Sequence, residues 1–382
     1  LIYLDYNATT PCADEVLEAM LPYFNIKYGN AGSATHSMGW IAQEAVKNAR
    51  QNIAEILHCE PEEIYFTSGA TEACNLAIQG IFDLYQIKGK TIICCATEHS
   101  AVLETYRHLA KYKGANLVIL PVDNDGLINL ETFEQSITPE TILISVMFAN
   151  NETGVIHDII NIGQIARKHN VLLFCDATQA VGKTDIHLDQ LPIDAMAWSS
   201  HKFYGPKGVG GLFLRRKKPR VQVLPQIIGG GQERGIRSGT LNVPGIVGMS
   251  KALTYTTINY NPISLAQKRD LLEANLCTAF EHIYINGIIK NRLPHVSNIS
   301  IYGIKAEKLL KMVNTELCIS LGSACKSAQL KASHVLQAMY QDKKRIDGAI
   351  RISLGIETSE KDIKDASTIL INAIQKIKNE IL

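Results

Sequence analysis

Ile193-Asp194-Ala195-Met196-Ala197-Trp198-Ser199-Ser200-His201-Lys202-Phe203-Tyr204-Gly205-Pro206-Lys207-Gly208 is the stretch whose reading decides the fold. An apolar run with the character of a buried strand ends abruptly in Ser-Ser-His-Lys, and a Gly-Pro and Gly-rich turn follows. A lysine after a strand is most often a surface residue. The hydroxyl and imidazole donors just before Lys202 point to a sharper chemistry, an imine to an aldehyde cofactor whose phosphate those donors hold. The rest of the chain decides between the two.

Outward from this stretch, residues 13 to 255 alternate helical patterns with short apolar runs. The helical stretches are Asp14–Phe24, His36–Leu57, Glu72–Tyr85, Ala101–Lys113 and Ile159–His169. The strand-like runs are Ile64–Thr67, Thr91–Cys95, Leu117–Pro121, Ile142–Ala149, Val171–Cys175, Ala195–Ser199 and Gly210–Leu214. Such alternation predicts an α/β domain with a mostly parallel sheet and helices on both faces, its ligands bound beyond the carboxyl ends of the strands. After residue 255 the texture changes to a helix (Ser264–His282), short strands (Val296–Ile301 and Leu317–Leu321) and a terminal helix from about Ser359. We expect a large domain over 13–260, and a smaller α+β domain formed by 1–12 with 261–382.

At 382 residues the chain exceeds the size of one hydrophobic core, which agrees with two domains. With a net charge of +1, nothing global points to nucleic acid or an acidic membrane surface. The start, Leu1-Ile2-Tyr3-Leu4-Asp5-Tyr6, has no basic region and reads as a short strand. No apolar run approaches the roughly 20 residues that span a bilayer. Nine cysteines without a C-x-x-C pair suggest neither a disulfide framework nor a zinc site, and fit a reducing, cytoplasmic setting. Adjacent Cys94 and Cys95 should point to opposite faces of a strand.

Several short motifs follow strand-like runs. Thr67-Ser68-Gly69-Ala70-Thr71-Glu72 opens a helix, where glycine and free amides suit an anion, although an ordinary helix start reads the same way. Thr97-Glu98-His99-Ser100 sets His99 at the same rim, either as a surface residue or as an imidazole stacked on a cofactor ring. Asp176 ends the run Val171–Cys175; a carboxylate there needs a cation such as a pyridinium N–H, unless it simply caps a helix. Gln179 and Asn151 supply neutral hydrogen bonds nearby. Leu321-Gly322-Ser323-Ala324-Cys325-Lys326-Ser327 puts a thiol among small residues beside a cation, the profile of a reactive cysteine. Arg351 interrupts an apolar run, which suits either bidentate binding of a carboxylate or a structural ion pair.

With these segments in hand, the chain resembles the pyridoxal-phosphate-dependent cysteine desulfurases of the aminotransferase class V group over nearly its whole length. The segments that carry the resemblance are 3–11, 67–72, 97–99, 150–154, 176–179, 199–208, Arg237-Ser238-Gly239-Thr240 and 322–325. The Gly-Ser-Ala-Cys loop is similar to that of the first desulfurase subgroup. The resemblance implies fold type I, with a mostly parallel seven-stranded sheet, and conversion of L-cysteine to L-alanine. The sulfur would pass as a persulfide on Cys325 to acceptors for iron–sulfur cluster assembly or tRNA thiolation. Alternatives on the same fold are an aminotransferase or a selenocysteine lyase.

Carried over by position, Lys202 would bind the pyridoxal phosphate covalently, and His99 would stack on its ring and shuttle protons. Asp176 would pair with the pyridine nitrogen and Gln179 with the phenolic oxygen, with Asn151 also near the cofactor. Ala70, Thr71, Ser199, His201 and Thr240 of a neighbouring subunit would hold the phosphate. Asn151 and Arg351 would bind the substrate carboxylate. Cys325 is also a candidate ligand for a transferred iron–sulfur cluster; no resident metal is expected. The resemblance implies a homodimer and protein sulfur acceptors such as an iron–sulfur scaffold, with no direct nucleic-acid or membrane binding. The chain departs from the family pattern at Ala31, Ser200 and Leu321, and it ends with the terminal helix where housekeeping members carry a longer tail. Arg215-Arg216-Lys217-Lys218-Pro219-Arg220 reads as a solvated turn or as a docking patch for an acidic partner.

Overall fold

The structure is a computed structural model and describes residues 1–321 and 332–380. In chain order the strands are β1 (Ile2–Tyr3), β2 (Ile64–Thr67), β3 (Thr91–Cys95), β4 (Asn116–Leu120), β5 (Thr141–Ser145), β6 (Leu172–Asp176), β7 (Ala195–Ser199), β8 (Gly210–Leu214), β9 (Ile283–Ile285), β10 (Val296–Ile301), β11 (Leu317–Cys318) and β12 (Ala349–Ser353). Seven of them form one sheet in the order β2-β8-β7-β6-β5-β3-β4. All neighbours from β4 to β7 pair in parallel, and β8 runs antiparallel to both β2 and β7. This is the mostly parallel seven-stranded sheet expected for fold type I.

The strand sequences are continuously apolar because both faces of the sheet are covered. Cys95 packs with Val46, Ile53 and Trp198 on one face, below helices Ser37–Ile56 and Val243–Asn259. Cys94 packs with Leu76, Phe82 and Val102 on the other, below helices Ala70–Tyr85 and Ser100–Lys113. The two thiols thus face opposite ways, as a strand requires.

Two helical expectations change. Asp14–Phe24 divides into Asp14–Met20 and Pro22–Asn25, because Pro22 lacks the amide that would continue the helix. Helix Val243–Asn259 escapes the sequence pattern: Gly245, Gly248 and a Thr-rich end lower its propensity, and tertiary burial of Val243, Ile246, Met249 and Leu253 supplies what propensity does not.

A second core joins Leu4 to Leu272, Leu276, Ile299, Ile350, Leu370 and Ile374. Its antiparallel sheet has the order β12-β10-β9. β1 pairs in parallel with β11, and Asp5 bridges to Ser353. The N-terminal segment then crosses to the large sheet, where the Thr10 amide donates to the His201 carbonyl at 3.0 Å. This crossing closes one wall of the site.

Candidate active site

A cavity of about 490 Å³ opens at the carboxyl edge of the large sheet. Its wall includes Ala70, Thr71, His99, Asn151, Asp176, Gln179, Ser199, His201, Lys202 and Arg351, so the fold brings together residues separated by up to 281 positions in sequence. Thr240 lies outside that wall, in a small neighbouring cavity with Arg237 and Asn242 that shares Ser68 and Gly208 with the first. Cys325 lies outside the described residues.

The strand–turn–helix transitions explain most of these positions. Helix Ala70–Tyr85 begins at Gly69 with no side-chain cap, and its first internal amide bond runs from Ala73 to Gly69. The amides of Ala70, Thr71 and Glu72 therefore precede the helical ladder, where an anion can take them. Close approach is required here: a Cβ on Gly210 would stand 2.7 Å from the Gly69 Cα, so β8 passes directly against the turn. Gly69 itself has φ of +154°, a backbone setting that side chains rarely adopt.

Lys202 follows β7, and its Nζ donates to the backbone carbonyls of Asn7 (2.6 Å) and Ala8 (2.8 Å). His201 pairs its Nδ1 with the Thr9 hydroxyl at 3.1 Å. Burial, helped by Lys202, Lys207 and Lys183, pushes this imidazole down to about 4, so it acts as a neutral hydrogen-bonding group near neutral pH. Asp176 ends β6 on the cavity floor and accepts from the Thr178 amide at 2.9 Å.

Behind it lies Glu98, fully buried, whose carboxyl is raised well above the usual range by burial and then by Asp176. Burial and the neighbouring Asp176 both favour its protonated form. His99 caps helix Ser100–Lys113 by accepting the Ala101 amide at Nδ1 (3.1 Å). The sequence motif drew attention to His99 and left Glu98 without a role.

Arg351 sits on β12, 2% exposed, with Nη2 on Asp5 Oδ1 (2.7 Å) and Nη1 on the Asn151 carbonyl (3.0 Å). The ion-pair reading of this residue is thus present in the geometry, and the pair holds the guanidinium at the cavity wall. Sequence reasoning missed the hub of this wall, Asn7, 1% exposed, although it stands inside a quoted motif. The Asn7 Nδ2 donates to the Asn151 carbonyl (3.1 Å), and its Oδ1 pairs with His295 Nε2 (2.8 Å). The described chain stops at Leu321, one residue past a two-way backbone pairing of Ser320 with Arg351. After the gap, Ser333 donates its hydroxyl to Glu152 and His334 Nε2 meets the Glu98 carbonyl.

The basic run loses one member to the interior. Arg215 is buried and donates to the carbonyls of Ile193 (2.8 Å), Leu188 (2.7 Å) and Leu191 (2.9 Å), whereas Arg216, Lys217, Lys218 and Arg220 are exposed.

These residues fit pyridoxal phosphate. A helix start with free amides beside Ser199 and His201 suits its phosphate, and Asp176 suits a protonated ring nitrogen. The Thr178 hydroxyl, buried against the cavity without a partner among the described residues, marks a polar atom that awaits a ligand. No group of three or more metal-binding side chains occurs among the described residues, and none of their helices is long and apolar enough to cross a membrane.

Comparison with known proteins agrees with this geometry. The profile of the aminotransferase class-V family matches residues 2–365. A cysteine desulfurase IscS of Methylococcus capsulatus is 43% identical over 379 residues, covering 99% of this chain and 93% of that protein. The solved structure of a NifS-like protein has a TM-score of 0.91 at 36% identity, over 98% of this chain and 99% of that one. A structure described as SspA in complex with cysteine has a TM-score of 0.82 at 34% identity, over 93% of this chain and 99% of that one.

Proposed function

Because the chain belongs to the aminotransferase class-V family, among its pyridoxal-phosphate-dependent cysteine desulfurases, we infer that it converts L-cysteine to L-alanine and passes the sulfur on as a persulfide. The observation that supports this reading best is the placement of Lys202: three residues past β7, it lines the same cavity as the Ala70 helix start and Asp176. Bound there, pyridoxal phosphate supplies an electron sink for the Cα of the amino acid.

The division of labour we assign is as follows. Ala70, Thr71, Ser199 and His201 hold the phosphate, and Asp176 keeps the ring nitrogen protonated. Gln179 donates to the phenolic oxygen. Arg351 and Asn151 orient the substrate carboxylate, with Arg351 aimed by Asp5. Lys202 takes the Cα proton, and His99 moves protons during the later steps. The Cys325 thiolate attacks the substrate sulfur: a carbon–sulfur bond breaks, a sulfur–sulfur bond forms, and protonation of the former Cβ with return of a proton to Cα gives alanine. The described residues on either side of 322–331 pair with Arg351, Glu152 and Glu98, through Ser320, Ser333 and His334, which supports this assignment.

The division into 13–260 and 1–12 with 261–382 belongs to the same proposal, supported by the separate core around Leu4 and Leu370. So does a homodimer. Leu17, Leu21, Phe24, Ile26, Tyr28 and Trp40 are exposed on adjoining segments, an apolar surface that a second copy would cover, and Thr240 would then serve the partner's phosphate site. Sedimentation should show a dimer; an active monomer would refute it. Protein acceptors of sulfur, such as an iron–sulfur scaffold, and a cytoplasmic setting complete the reading, the latter supported by the eight cysteines that are unpaired among the described residues.

The test is direct. The protein reconstituted with pyridoxal phosphate and given L-cysteine and a small thiol should release alanine and sulfide in equal amounts. Mass spectrometry without the thiol should find one sulfur added to the Cys325 peptide. Absence of alanine would overturn the activity, and alanine without sulfur on that peptide would overturn the role of Cys325.

A further inference from the structure

Lys183 is a buried lysine that the reaction as described does not use. It lies four residues beyond Gln179, 7% exposed, on consecutive turns after β6. Its Nζ donates to Gln179 Oε1 at 3.2 Å, and Gln179 Nε2 donates to the Asn7 backbone carbonyl at 3.1 Å. That carbonyl also takes the Lys202 amino group at 2.6 Å.

The Asn7 carbonyl is itself pinned. The Asn7 amide donates to Ser353 Oγ (2.9 Å), and its Oδ1 pairs with His295 Nε2 (2.8 Å). Burial holds His295 neutral, well below the ordinary range. An amide oxygen only accepts, so Nε2 carries the His295 proton and Nδ1 accepts from the Tyr260 hydroxyl at 2.7 Å. A carbonyl fixed this way can only accept as well, so Gln179 must turn its NH2 toward it. The Gln179 oxygen then points into a buried corner, where a carbonyl oxygen without a donor would be left unsatisfied and destabilising. Lys183 is the donor that meets it.

We propose that Lys183 is a positioning residue that fixes the orientation of the Gln179 amide, so that the cavity meets a donor N–H rather than a carbonyl oxygen. The proposal rests on the reading of Gln179 as the partner of the cofactor's phenolic oxygen. An anionic oxygen needs a donor there, and a flipped amide would set two acceptors against each other. Burial, with Lys202 and Arg351 nearby, pushes the Lys183 amino group down to about 7. Charged or neutral, it still has a hydrogen to give Oε1.

The experiment is a double-mutant cycle on the holoenzyme, read by the visible absorption of bound pyridoxal phosphate and by its dissociation constant. Lys183→Met, of similar length without a donor, should shift the band and weaken binding about tenfold, the scale of one buried hydrogen bond. Lys183→Gln, which keeps a donor, should restore the band. Combined with Gln179→Ala, Lys183→Met should add nothing further. If the two losses add in full, or if Lys183→Gln is as impaired as Lys183→Met, Lys183 acts independently of Gln179 and the proposal fails. If Gln179→Ala alone leaves the band unchanged, the assignment of Gln179 falls, and the role of Lys183 falls with it.

Discussion

The large sheet has a cavity at each of its two edges, and by size they would be confused. The carboxyl edge holds about 490 Å³ and the amino edge, around Thr141, Leu172 and Asp194, about 630 Å³. Both are rich in cations. At the carboxyl edge the charged groups are held: Arg351 lies on Asp5 and the Asn151 carbonyl, and Lys202 on two backbone carbonyls. At the amino edge Lys88, Arg167, Lys218 and Arg220 are exposed. Convergence of buried, oriented polar groups marks the chemical edge; volume and charge do not.

The largest test of that contrast is Lys202→Ala. It should abolish alanine formation, since the proposed roles of covalent anchor for the cofactor and of Cα base both go with one amino group. Removing a cation from the other edge, with Arg220→Ala, should leave alanine formation unchanged. Comparable turnover by Lys202→Ala and the wild type, assayed by alanine release without added amine, would erase the distinction between the edges.

The next effect tests whether the carboxyl edge depends on the N-terminal wall as much as on the sheet. Asn7→Ala should strand the buried His295 N–H and remove a donor from the Asn151 carbonyl. At about 1–3 kcal/mol for the unmet His295 N–H, with the Asn151 carbonyl keeping its Arg351 donor, a loss of up to about 3 kcal/mol in unfolding free energy is expected from denaturant titration. A change below about 0.5 kcal/mol would show that the wall is held by something else.

What could be read from the chain follows the same division. Lys202, Asp176, His99 and the Gly69–Glu72 turn each end or follow a local strand run, so their place at one edge is implied by the alternation around them. Asn7 and His295 acquire their roles only through contacts across 172 to 288 positions, and Lys183 acquires its role through Gln179, which one of those contacts ties to Asn7; a local pattern carries no trace of such pairings. Asp5 is of this kind too: nothing near it announces that Arg351, on a strand of the other core, will need its carboxylate. The basic run shows the opposite error. Five adjacent cations read alike in sequence, yet the antiparallel strand β8 delivers Arg215 to three buried carbonyls while its neighbours stay in water.

A smaller effect comes from protons. His157, in the loop after β5, is buried, and burial pushes its imidazole from 6.5 down to about 4. The unfolded chain takes up a proton at higher pH than the folded one. Stability from this group is therefore complete above about pH 6.5 and falls as the pH drops toward 4. Between pH 7 and pH 5 it should account for about 2 kcal/mol of lost stability, which His157→Gln should abolish. An unchanged slope of unfolding free energy against pH in that variant would assign the loss to other groups.

The smallest effect expected on turnover belongs to the amino edge, and it decides what that edge is for. With Arg215 committed to the interior, the exposed cations there are Arg216, Lys217, Lys218 and Arg220, in a chain whose net charge is only +1. A local positive field of this kind steers an acidic protein and speeds its encounter, and salt weakens it over a Debye length of about 8–10 Å. Reversing Arg216, Lys218 and Arg220 to Glu should leave cysteine turnover with a small thiol unchanged, because these residues lie at the far edge from Lys202. Delivery of the persulfide to an acidic acceptor protein should slow about tenfold at low salt, and the difference should vanish as salt rises. If delivery keeps both its rate and its salt dependence after the triple reversal, the exposed run is a solvated turn. The contrast between the edges then reduces to chemistry at one and plain solvent at the other.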